Sequence, residues 1–85
     1  MKIDENLIIN NIVIENITVT NSAELIVFGI VNGNITIESN SSSIIYGMIN
    51  GTIYNFGSCE IFGKINGNVI GENIKIDTNA VINKN

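Results

Sequence analysis

The chain has 85 residues, no Pro, His or Trp, one Cys, and a net charge of −4 carried by eight acidic and four basic side chains. That is one domain's worth of chain. Four scattered lysines, Lys2, Lys64, Lys75 and Lys84, cannot displace the counterions of a nucleic acid. They also give no polybasic attraction to anionic lipid.

Ile and Asn dominate the composition. Ile is β-branched and favours strands, whereas Asn favours turns and tolerates left-handed backbone. The balance predicts many short strands separated by tight corners. Apolar residues alternate with period 2 in Ile12-Val-Ile14 and Ile35-Thr-Ile37, which excludes an amphipathic helix over those segments.

In chain order, Met1-Lys2 is followed by Asp4 and Glu5 rather than by an apolar run, so no signal peptide is expected. No stretch approaches the roughly 20 apolar residues of a spanning helix, which argues against membrane association. Leu7 to Val19 alternates Ile and Val, interrupted at Asn10-Asn11 and Glu15-Asn16. This segment, within 7–24, reads as a degenerate terminal repeat.

The best repeats lie in 25–71. One phrase occurs three times: Phe28-Gly-Ile-Val-Asn-Gly-Asn-Ile35, Tyr46-Gly-Met-Ile-Asn-Gly-Thr-Ile53 and Phe62-Gly-Lys-Ile-Asn-Gly-Asn-Val69. The copies open at Phe28, Tyr46 and Phe62, a short and nearly constant interval. Repetition at a fixed period means one structural unit stacked on itself. The spacing fits one turn of a triangular solenoid with three short sides. The fold class expected is all-β, a short parallel β-helix of about five rungs forming one domain over 1–85.

Aligned copies give three apolar columns: Val27, Ile45, Ile61; Val31, Ile49, Ile65; and Ile35, Ile53, Val69. Residues two and four apart share a strand face, so these columns line one interior. Phe28, Tyr46 and Phe62 then point outward as a stacked stripe beside Ile30 and Met48, a candidate contact surface. The Asn-Gly pairs are turn signals because both residues accept positive φ. They are read as coil corners where crowding admits only Gly; a meander of hairpins is the alternative. Asn32, Asn50 and Asn66 form a column that can hydrogen-bond along a corner and satisfy backbone groups there. The polar run Glu38 to Ser43 reads as a loop bulging from one corner. Weaker alternation continues through Gly71 to Ile76 and Ala80 to Ile82, a second degenerate rung within 72–83.

The phrases Gly29-Ile-Val-Asn-Gly-Asn-Ile35, Gly47-Met-Ile-Asn-Gly-Thr-Ile53 and Gly63-Lys-Ile-Asn-Gly-Asn-Val69 resemble the Gly-x-Val-x-Gly-x-Ile repeats of the bactofilin family, bacterial polymer-forming cytoskeletal proteins. The resemblance covers residues 25 to 71. It implies a right-handed β-helix that joins end to end into nucleotide-independent filaments.

Nothing in the sequence points to an enzyme. Without His there is no Cys-His nucleophile pair and no hexapeptide-repeat acyltransferase base. Glu24 and Glu60 fall in different columns, against a carboxylate pair. No cofactor is expected. No metal site is expected either, because the Asp-x-Asp-x-Gly spacing of calcium loops is missing. Thr18, Thr20, Thr36, Thr52 and Thr78 form no regular file of the ice-binding kind. Cys59 is read as a small core residue in a cytoplasmic protein.

Open strand edges template further chains. The expected function is therefore structural self-assembly, with the protein its own partner as a homo-oligomer or filament. The candidate contacts are Ile12 and Ile14 at one end, Ile74, Ile76 and Ile82 at the other, and Phe28, Tyr46 and Phe62 along the side. The alternative is a small acidic protein that neutralises a toxin or effector partner.

Overall fold

Short β-branched strands in a chain this small bury their apolar faces only by stacking, and stacking is what the chain does. A computed structural model describes residues 1–84. It contains fifteen short strands, arranged as five rungs of three. The first rung is β1 (Lys2–Ile3), β2 (Leu7–Ile9) and β3 (Ile12–Val13). The second is β4 (Ile17–Val19), β5 (Glu24–Val27) and β6 (Ile30–Asn32). The third is β7 (Ile35–Ile37), β8 (Ser42–Ile45) and β9 (Met48–Asn50). The fourth is β10 (Ile53–Asn55), β11 (Ser58–Ile61) and β12 (Lys64–Asn66). The fifth is β13 (Val69–Gly71), β14 (Ile74–Ile76) and β15 (Val81–Asn83).

Every third strand belongs to the same face, giving three five-stranded sheets in the orders β1-β4-β7-β10-β13, β2-β5-β8-β11-β14 and β3-β6-β9-β12-β15. All strand pairings among the described residues are parallel. The fold is a short parallel β-helix, and the hairpin alternative is not realised.

The three apolar columns line the interior as expected. Val27, Ile45 and Ile61, then Val31, Ile49 and Ile65, then Ile35 and Ile53 are all 0% exposed. Each fully buried Ile or Val contributes about 1.5–3 kcal/mol relative to an exposed one. Two further interior columns are too mixed in chemistry to stand out in the sequence. One runs Leu7, Leu25, Ser43, Cys59, Ile74 and the other Ile3, Val19, Ile37, Asn55, Gly71. Cys59 is indeed a core residue, and the Ser43 hydroxyl donates to its Sγ at 3.4 Å.

Corners explain the glycines. A Cβ at Gly47 would stand 2.0 Å from the Gly29 carbonyl oxygen one rung back, and at Gly51 2.2 Å from that of Gly33. Crowding by the preceding rung therefore selects Gly. Of the three Asn-Gly pairs only Gly67 adopts positive φ, at 158°; Asn32, Gly33, Asn50 and Gly51 do not.

The coil also begins earlier than the sequence pattern indicates, at Lys2 rather than Leu7. The polar run Glu38 to Ser43 divides. Glu38–Ser41 turns the corner, with Asn40 at φ 69°, while Ser42 and Ser43 belong to β8. The preceding rung turns the same corner through Thr20–Ala23, with Asn21 and Ser22 at φ 59° and 60°.

Candidate assembly surfaces

The corner between the second and third faces carries the aromatics. Phe28 and Tyr46 stack with centroids 5.0 Å apart and planes 4° apart; Tyr46 and Phe62 follow at 5.1 Å and 11°. The spacing is set by the rungs, because strand neighbours lie about 4.8 Å apart. Tyr46 has a ring on each face, whereas Phe28 and Phe62 each have one. Asn10 and Asp77 take the aromatic's place in the first and fifth rungs.

Outward columns flank this stack. On the second face the column runs Ile8, Ile26, Ile44, Glu60, Lys75. On the third it runs Ile12, Ile30, Met48, Lys64, Val81. Both are apolar over three rungs and turn charged at the fourth. Ile12, on the first rung and 59% exposed, points outward and opens this lateral ridge. Ile14, 74% exposed, sits at the third corner of the first rung.

The C-terminal end gathers the other three candidates. Ile74, Ile76 and Ile82 all occupy interior columns, in register with Cys59, Ile61 and Ile65. Ile61 is 0% exposed, whereas Ile76 is 50% exposed. The same interior surface at the N-terminal end is better covered, with Ile3 at 8% and Ile9 at 3%.

Asparagine ladders run along the third corner. Asn50 Nδ2 donates to Asn32 Oδ1 at 2.6 Å, Asn66 Nδ2 to Asn50 Oδ1 at 2.7 Å, and Asn83 Nδ2 to Asn66 Oδ1 at 3.0 Å. The expected column thus exists and extends to Asn83, but its amides bond to one another. Backbone groups are satisfied instead by a neighbouring file that the repeated phrase does not flag: the Asn34 N–H donates to Asn16 Oδ1 at 2.8 Å and the Thr52 N–H to Asn34 Oδ1 at 2.9 Å.

A shallow groove of about 490 Å³ lies on the second face, lined by Glu24, Ser42, Ser58, Glu60 and Lys75 among others. Glu24 is in register with Ser42 and Glu60 with Ile44, so the two carboxylates stand in separate columns. Among the described residues no group of three or more His, Cys, Asp or Glu is placed to hold a metal ion. No helix there is long and apolar enough to cross a membrane. Thr18 and Thr36 are ladder neighbours, but their column continues into Tyr54 and Ile70. Burial pushes the Cys59 thiol above its ordinary value, against the lowering effect of the Ser43 hydrogen bond.

The chain matches no family model, and no curated protein or solved structure was found to match it.

Proposed function

We propose that the chain is a non-catalytic, cytoplasmic structural protein, a bactofilin-like protomer that oligomerises through the end of its β-helix. The observation that supports this is the uncovered interior of the fifth rung. Ile76 occupies a column whose inner members are fully buried, and β13, β14 and β15 each present an edge on that side. Unpaired strand N–H and C=O groups beside exposed apolar surface favour addition of another strand. The threefold Gly-x-[Val/Ile]-Asn-Gly-x-[Ile/Val] phrase supports the bactofilin-like form of the reading.

Sedimentation velocity across a concentration series tests it. A mass that rises from one protomer to a multiple of it is expected; one protomer's mass at every concentration refutes self-assembly.

A further inference from the structure

The two ends of the coil are not equivalent. At each inner rung the corner glycine lies against the carbonyl of the rung before it. A Cβ at Gly29 would meet the Asn11 oxygen at 2.0 Å, and one at Gly33 the Glu15 oxygen at 2.2 Å. Gly47, Gly51, Gly63 and Gly67 repeat the relationship, each within 2.0–2.2 Å of an oxygen one rung back. The missing Cβ always faces the N-terminal side. Where the later rung keeps the short corner, an in-register rung can therefore be laid before it only if glycine stands there; the fifth rung instead turns through the longer Asp77–Ala80, with Ala80 before Val81 where Gly63 precedes Lys64.

The first rung keeps the short corners but has no glycine there. Ladder register puts Ile12 beside Ile30 and Val13 beside Val31, so Asn11 stands where Gly29 stands, and Glu15 stands where Gly33 stands. Their Cβ atoms occupy the side on which a preceding rung's carbonyls would lie. The fifth rung of a second copy cannot take that place without steric conflict at two corners.

We infer that Asn11 and Glu15 form a steric stop at the N-terminal end, so that the occupant of the C-terminal rung is the C-terminal rung of a second copy. This rests on the self-assembly proposed above and fixes its form. A head-to-tail contact is heterologous and propagates into a filament, whereas a tail-to-tail contact is isologous and closes as a twofold dimer. Ile74, Ile76 and Ile82 meet their own counterparts across the axis.

The full chain is compared with Ile76→Lys and with the double variant Asn11→Gly, Glu15→Gly, by sedimentation velocity on samples whose β circular dichroism is unchanged. The native chain should stop at two protomers. Ile76→Lys should weaken that dimer at least tenfold, and the double glycine variant, its stop removed, should form particles larger than a dimer. Filaments of the native chain overturn the stop while leaving self-assembly standing. A native chain that stays monomeric removes self-assembly and this inference with it. A dimer unaffected by Ile76→Lys overturns the tail-to-tail contact, and a double variant that still stops at two overturns the role of Asn11 and Glu15.

Discussion

Ile61 and Ile76 are ladder partners on adjacent strands of the second sheet, yet one is wholly buried and the other half exposed. The two positions have the same inward direction and differ only in whether a rung lies beyond them. Truncation should separate them. Ile61→Ala leaves a cavity inside the coil and should lower stability by about 2–5 kcal/mol. Ile76→Ala should cost well under half of that in dilute, monomeric protein. Urea unfolding of both variants at low concentration checks the contrast.

Gly47→Ala places a methyl against the Gly29 oxygen, with Phe28 backbone atoms also inside 3.0 Å. Backbone atoms cannot move aside as a flexible side chain would. The loss should reach about 3 kcal/mol or more, at the upper end of overpacking costs. Asn11→Gly, at the same corner of the first rung, introduces no clash and should leave the melting temperature within a few degrees. Thermal unfolding of the two variants side by side measures the difference.

Asn50 is the middle of the amide ladder and takes part in two of its hydrogen bonds. Asn50→Ala removes both at an exposed corner, and about 1 kcal/mol is expected at that level of exposure. Asn55 is a different case. Its amide is buried and donates to the Glu72 carbonyl at 2.5 Å and the Gly57 carbonyl at 3.3 Å, pinning the first corner of the fifth rung. Asn55→Ala should cost more, about 1–3 kcal/mol, and should speed hydrogen exchange around Glu72 and Asn73 ahead of the other corners.

Cys59 gives a pH dependence. Burial raises its pKa above the ordinary 9.0, so the folded chain holds the thiol neutral where the unfolded chain ionises. Unfolded protein therefore binds fewer protons above that value, and the stability this thiol contributes is lost as pH rises towards the folded pKa. The urea midpoint of the native chain should fall as pH rises above 9.0. That of Cys59→Ser should fall less. The thiol should also resist alkylation at neutral pH until the coil opens.

The repeat makes the middle of this molecule legible. Val31, Ile49 and Ile65 can be placed in one column because the Asn-Gly that follows each of them fixes the register. The aromatic stripe is readable for the same reason. The ends are less so. Between the fourth and fifth rungs Cys59 pairs with Ile74 but Lys64 with Val81. The offset thus changes within a single turn, and no one period carries the pattern across. The first rung opens with a very short strand, Lys2–Ile3, which cannot show alternation. The core position of Asn55 is invisible because its neighbours in the column, Ile37 and Gly71, share no chemistry with it. Ile12 belongs to the first rung by its place in the chain, yet it points outward and opens the lateral ridge.

The most direct test of end-to-end joining is a pair of distances in the assembled protein. In a Cys59→Ala background, single spin labels are placed at Lys75→Cys or at Lys2→Cys, and label separations are read by pulsed dipolar spectroscopy. Tail-to-tail dimers put the two copies of position 75 on adjoining rungs. They separate the two copies of position 2 by about nine strand spacings of ~4.8 Å, roughly 43 Å along the axis. A short distance at 75 with a long one at 2 is the predicted result. A short distance at position 2, or no dipolar coupling at either position, would contradict it.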